Sequence, residues 1–523
     1  MAEAPLKKVL KKGQIEKYIW GHRLYDEQTG MMTLLEFLCV FANLPYAAGN
    51  DHLVHLKDYE APVRHLLRSL VFNNPYVDEL HTGGVDEWEQ WRQRFNDDKQ
   101  TKSACGKSEA LAQVTDERLA RLRSLFGSGD NEDFRHFAET VRLLREAGIN
   151  RVSNKRWTSN FLFPWGRHCL FLDLSANGST SDRRFFARNG ELLYLLLSHA
   201  EKRTELSRLL QDRILDSGHE LDAVCEALSL GSDDSLIVPG WDKDKDTGCR
   251  LPFGTDLRPE IDATTQRRID ILCEDLIAVL NLKIPAPDAV IHAARIISLN
   301  LLCYFLEEAD MAIRIARGKP ANGRPVPLLC EALQKRTSDL RRCSRERFKE
   351  NDRLSLNAVR LFYDRHVAWQ PAMTDLDDEG ELREDDPLDV RRSDSLEAIL
   401  NAHKSHWASF HRVFAKDCGI GSRICTRDFR YTPSDDLIET LAAVLIPGSR
   451  LLFSDFLAKA FERYGLVFGA EEYKVSEKPA VEELDPGELK ANEERLLNRF
   501  NALGLLARLS DGFEFALNPY SRT

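Results

Sequence analysis

The sequence predicts a mainly α-helical, multi-lobed protein with one inserted β-hairpin and a C-terminal domain of three helices closed by a second hairpin. Three observations predict it. Apolar residues recur at helical spacing over most of the 523 residues. Two short β-prone runs near 159–175 flank turn chemistry, and the end of the chain reads helix, helix, helix, hairpin. Apolar residues make up 43% and charged residues 30%, near the globular averages, which excludes global disorder. At roughly 150 residues per domain, the length suggests three or four folding units.

The first unit, 1–150, is helical. Thr29-Gly30 opens a helix with Leu34, Leu35, Leu38 and Phe41 on a broad buried face, and Pro45 closes it. Val63, Leu66, Leu67 and Leu70 share one side of 61–72, and 116–126 and 133–147 repeat the pattern. A central unit, 151–370, follows. Pro164-Trp165-Gly166-Arg167 separates the two runs of the predicted hairpin, and Leu170, Leu172 and Leu174 alternate with Cys169, Phe171 and Asp173. Helices resume over 190–215 and 219–230, then over 264–282 and 288–317, punctuated by Pro285 and Pro287, and finally over 327–367. Asp375–Asp389 holds nine acids against Arg383 alone, so 371–392 reads as a solvated loop or linker. A connecting helix occupies 393–430.

The last unit, 431–523, is the most readable. Thr432-Pro433-Ser434-Asp435 supplies an N-cap, a first-turn proline and an acid. Ser454 is expected to cap a second helix that Gly465 ends, and a charged stretch, 470–488, precedes a third helix from Leu489 to Leu503. Ser510-Asp511-Gly512 between alternating runs is a hairpin signal. Three helices and a hairpin in this order make a winged-helix-like domain. Its third helix would meet DNA, yet Lys490, Arg495 and Arg499 are balanced by Glu488, Glu493 and Glu494. Protein contact therefore competes with DNA contact.

Charge narrows the partners. Lys plus Arg is 72 against 83 for Asp plus Glu, a net charge of −11. That balance does not suit a chain coated with nucleic acid, although local basic patches remain open. Arg341, Arg345 and Lys349 fall at i, i+4, i+8 in the most basic stretch, Lys335–Arg353. With Arg423, Arg427, Arg430, Arg495 and Arg499 they are the candidate nucleic-acid-binding residues. A solvated face, or a dock for the acidic loop, is the plainer reading of that stripe. No apolar run reaches the ~20 residues of a membrane span, and Met1–Lys12 lacks the apolar stretch of a signal peptide. The eleven cysteines form no C-x-x-C and read as buried residues in a reducing compartment. A cytoplasmic location is expected, with no membrane partner.

Catalytic signals are sparse. His403, His406, His411, Cys418 and Cys425 are the one His/Cys cluster, but their gaps exceed those of paired zinc ligands, and Trp407 and Phe410 mark a packing helix. No metal or cofactor is therefore expected. Arg360 and His366 have the spacing of some helical (HEPN-like) ribonucleases, and His168 with Asp173 offers an alternative, metal-dependent nuclease centre. No P-loop, dinucleotide fingerprint or nucleophile elbow is present in the sequence.

Gly21–Gln28, Arg183–Tyr194, Thr426–Asp436 and Leu503–Gly512 together resemble an uncharacterised bacterial family found in anti-phage islands, in particular with the methylation-associated defence system. The resemblance implies an accessory subunit working beside a methyltransferase, a kinase and nuclease or ATPase components, and it transfers no functional residues. The expectation is a non-catalytic subunit making protein–protein contacts, with double-stranded DNA as a further partner. The alternatives are a nuclease and a winged-helix transcriptional regulator.

Overall fold

The computed structural model describes residues 14–21, 28–43, 62–63, 70–71, 74, 76–80, 86–97, 114–126, 134–148, 162–170, 189–229, 236–237, 261–320, 323–332, 338–366, 396–404, 409–423, 428–476, 484–510 and 512–521. The protein is mainly helical with a few small strands. The chain forms two compact units, Met1–Leu34 with Leu195–Arg203 and Leu251–Thr523, and Leu35–Tyr194 with Thr204–Arg250.

In the first unit, α1 (Gln14–Trp20) joins two long helices, α2 (Ala263–Leu280) and α3 (Ala286–Ala316). Asp262 starts α2 by accepting the N–H groups of Thr264 and Thr265 at 2.8 and 3.0 Å. Prolines open α3, where their missing N–H costs nothing. At 31 residues α3 is about 46 Å long. By length and composition it is apolar enough to cross a membrane, but 89% of its most apolar window is buried in the fold. It is the central core helix.

Between α2 and α3 runs a buried polar lattice. Arg268 grips Glu307 through two hydrogen bonds of 2.9 and 2.5 Å and donates to Asn300 Oδ1 at 3.1 Å. Asn300 donates to Asp275 at 2.7 Å, and Tyr464 and Arg463 donate to the same carboxylate at 2.8 and 2.6 Å. The arginine is 2% exposed and its partner Glu307 4%. Every member satisfies another, which is what makes polar groups tolerable at that depth.

Around this pair lie α4 (Asp339–His366) and α5 (Phe410–Asp417), with short strands β1 (Leu328–Leu329), β2 (Gly421–Ser422) and β3 (Arg430–Tyr431). A single helix over 393–430 is expected from sequence. The described residues give a helix at 396–404, a second at α5, and then β2 paired antiparallel with β3. Gly419, at φ +85°, ends the second helix and turns the chain into the strand.

The C-terminal part continues with α6 (Asp435–Leu445), β4 (Arg450–Leu452), α7 (Phe453–Tyr464), β5 (Leu466–Val467), α8 (Ala470–Val475), α9 (Pro486–Ala502), β6 (Leu506–Arg508) and β7 (Glu514–Leu517). Strands β4, β7 and β6 form one antiparallel sheet in that order, with Leu451 and Leu506 both opposite Ala516. Strand β5 pairs in parallel with β1. The cap of α6 is Ser434, whose hydroxyl accepts Leu437 N–H at 3.2 Å. Thr432, expected as the cap, instead donates its hydroxyl to Glu331 O and its N–H to Ile420 O. Helix α7 begins at Phe453 with Leu452 at its cap, so Ser454 lies inside it. Gly465 ends α7 at φ +73°, where a Cβ would lie 2.4 Å from Val326 O.

In the second unit, helices Tyr76–Glu79, Glu87–Asp97, Asp116–Phe126, Phe134–Glu146 and Glu220–Ser229 enclose an aromatic core of Trp88, Trp91, Phe95, Phe134 and Phe137. Trp88 meets the edge of Phe134 at 5.1 Å, a preferred aromatic geometry. Pro62–Val63 pairs antiparallel with Leu236–Ile237. Of the hairpin predicted over 159–175, the described residues 162–170 hold a bend and a 3₁₀ turn, Arg167–Cys169, instead of strand; the remainder lies outside the described residues. The cause is Asp222, whose carboxylate accepts the N–H groups of His168 and Cys169 at 2.7 and 3.1 Å and so curls the backbone around itself. A Cβ at Gly166 would lie 2.2 Å from Asp222 Cγ, so glycine alone permits this approach.

Candidate functional site

One end of the basic stripe on α4 is built into the fold. Glu331, fully buried beside β1, accepts from Arg430 at 2.8 Å and lies in the field of Arg341 and Arg345. Burial pushes its carboxyl up, and the three guanidinium groups oppose that rise. Arg341 is 5% exposed and Arg430 4%. These two are inside the protein and do not present a phosphate-binding surface. Lys349 is exposed but paired with Asp428 at 2.8 Å. Arg345 is half-buried, and Arg423 is exposed with its guanidinium over the Phe429 ring at 5.2 Å. Arg427 lies outside the described residues.

On α9 the two expected DNA contacts part company. Arg499 turns back to the start of α6, donating to Pro433 O at 2.9 Å and to Asp435 Oδ1 at 3.2 Å. Arg495 remains half-exposed, flanked by exposed Lys490, Glu494 and Asn498. At the hairpin tip, Leu509 and Phe513 face each other and are 40% and 55% exposed, and Leu503 at the end of α9 is also exposed.

The histidines do not converge. His403 is fully buried, with Nδ1 at 3.2 Å from Glu16, Nε2 at 3.1 Å from Ser355 and its ring stacked on Trp20. Glu16, His403 and Ser355 have the order of a carboxylate–imidazole–hydroxyl relay, but all three are buried to 1% or less, so no substrate reaches the hydroxyl. His411 accepts from the Tyr431 hydroxyl at 2.7 Å and faces Asp352 at 3.3 Å. Burial pushes His411 down in spite of Asp352, keeping it neutral and structural. Cys418 is buried against Ala415 O. His406 and Cys425 lie outside the described residues, and no three His, Cys, Asp or Glu groups among the described residues are placed to hold a metal ion. Arg360 is exposed on α4, while the side chain of His366 is outside the described set.

His168 is different. Its Nδ1 donates to Asp222 Oδ2 at 3.0 Å, and its Nε2 lies 3.9 Å from Glu226. The imidazole is a quarter exposed. Asp173, its expected partner, lies outside the described residues, and the carboxylate that orients it comes from 54 positions along the chain. An oriented imidazole of this kind can move protons. Sequence reasoning missed Asp222 and Glu331 because each acts across a long separation and neither stands in a spaced motif. No protein-family model matches this chain, and no curated protein matches it in sequence.

Proposed function

We propose that this chain is a non-catalytic accessory subunit of a bacterial anti-phage assembly that works through protein contacts of a winged-helix-like C-terminal module. The order α6-β4-α7-α9-β6-β7 with sheet order β4-β7-β6 supports the winged-helix reading; α8 and β5 are additions before the third helix. The defence setting rests on the resemblance of the four segments named above. The carrying observation is the outward character of the module. It holds ten Lys and Arg against sixteen Asp and Glu from Tyr431 to Thr523, and its hairpin tip presents Leu509 and Phe513. An acidic module repels phosphate, and an apolar tip gains by leaving water against another protein.

The test is co-purification of the tagged full chain with the products of its neighbouring genes. A stable complex that is lost in the Leu509→Ser/Phe513→Ser variant is the expected result. A salt-dependent shift of duplex DNA at physiological ionic strength, abolished by Arg495→Glu, would favour the regulator instead. The Asp222–His168 dyad supports a second reading, a nuclease. Cleavage of plasmid or RNA that disappears in His168→Ala would establish it and remove the non-catalytic reading.

A further inference from the structure

We propose that Cys169 and Cys225 are a reversible oxidation site, closing into an intramolecular disulfide when the protein meets a peroxide. Their sulfurs are 3.6 Å apart although 56 positions separate them in sequence. Both are free thiols, 2% and 0% exposed. The contact follows from Asp222. Its carboxylate holds the backbone of the Arg167–Cys169 turn, and Cys225 stands three residues further along the same helix, on the face that carries Asp222. Whatever docks the turn on the helix also brings the two sulfurs together. A disulfide needs a separation of about 2.05 Å, so the sulfurs must close by roughly 1.5 Å, within the reach of side-chain rotation.

The burial of both thiols admits only a small neutral oxidant, and the neighbouring Cys225 sulfur together with that burial pushes the Cys169 thiol up, so thiolate is scarce and the oxidation is slow. Cys169 gives up its proton and its sulfur attacks one peroxide oxygen. The O–O bond breaks, one water leaves, and a sulfenic acid remains. The Cys225 sulfur then displaces the sulfenic oxygen as a second water and loses its own proton. Two thiols are oxidised by two electrons, and one peroxide is reduced to two waters. The new bond fastens the His168 turn to its helix, independently of what the C-terminal module binds.

The experiment treats the full chain with hydrogen peroxide, alkylates the remaining thiols under denaturing conditions, and maps non-reduced peptides by mass spectrometry. Alkylation of two fewer than the eleven cysteines, a peptide pair joined through Cys169 and Cys225, and recovery with dithiothreitol are expected. In Cys225→Ser the linked pair is absent and a sulfenic-acid probe labels Cys169. Eleven alkylated cysteines, or a bond from either residue to another cysteine, would overturn the proposal. So would stoichiometric zinc in the purified protein that is lost in Cys225→Ser, because the pair would then be metal ligands.

Discussion

Replacing Arg268 with Met tests whether the lattice between α2 and α3 holds the first unit together. The guanidinium neutralises Glu307, which is 4% exposed, and also donates to Asn300 Oδ1 and to Arg463 O at 2.7 Å. Burial disfavours the charged arginine, yet the Glu307 carboxylate outweighs that, and Arg268 keeps its proton more firmly than usual. Removing one partner of a buried pair costs about 3–5 kcal/mol, and Arg267, 3.8 Å from Glu307, compensates part of the charge left behind and places the cost toward the lower end. Local opening of α2 and α3 should then be faster by roughly a hundredfold to a few thousandfold, at about 1.4 kcal/mol per decade. Hydrogen exchange of peptides spanning 263–316 reads this directly, without assuming that a chain of two units unfolds in one step. The double variant Arg268→Met/Glu307→Leu removes both charges and should recover most of the loss, since an apolar pair of similar volume is often neutral. Exchange in Arg268→Met within threefold of wild type, or a double variant as costly as the two singles combined, would refute the reasoning.

Three further outcomes are expected. Asp222→Ala leaves the N–H groups of His168 and Cys169 and the imidazole without their acceptor, at about 1 kcal/mol for each, so trypsin should cut after Arg167 far sooner; an unchanged digestion pattern contradicts the clamp. Gly465→Ala forces a Cβ into a left-handed residue against Val326 O and should cost at least about 1 kcal/mol, read as a lower Tm. Stability should fall in two steps on acidification. Burial holds His411 below its ordinary value, so the unfolded chain gains a proton near pH 6.5 that the folded one refuses, and stability drops through that range. Burial raises Asp352, but hydrogen bonds from His411 and Arg412 outweigh it and depress the carboxyl, so its contribution, present above about pH 4, is lost on further acidification. His411→Gln should shrink the upper step, leaving the part due to His292, which burial also depresses; a urea midpoint that rises from pH 8 to 5.5 would contradict this.

Much of the architecture was legible because it is written in local periodicity. The helices 263–280 and 286–316, the αL stops at Gly465 and Gly504, and the hairpin turn at Gly512 follow from neighbouring residues alone. What escaped depends on partners far along the chain. Thr432 has every property of a cap, but Glu331 and Ile420 take its polar groups first, and the role passes to Ser434. Alternation around Leu170 suggests strand, and a carboxylate 54 positions away turns the backbone into a 3₁₀ turn. The arginines at 341, 345 and 349 do lie at helical spacing, but spacing says nothing of the direction in which the helix faces. Arg341 is buried toward Glu331, while Lys349 at the other end of the stripe is exposed.

Helix α3 shows how the same logic decides between environments. Its length and mean hydropathy would fit a bilayer, and periodicity gives no reason to choose otherwise. Its polar residues do. Asn300 and Glu307 meet Asp275 and Arg268 on α2, Glu308 accepts from Thr265 at 2.5 Å, and His292 meets Thr440 on α6 at 2.9 Å. Ser298 donates to Asp417 at 2.6 Å, and that carboxylate also accepts Gly30 N–H at 2.7 Å. Each contact fixes a rotation and a register that Leu and Ile alone would leave degenerate. Facing lipid, the same groups would lose these partners at a cost of several kcal/mol each. The polar residues of α3 thus select the packed arrangement over competing ones.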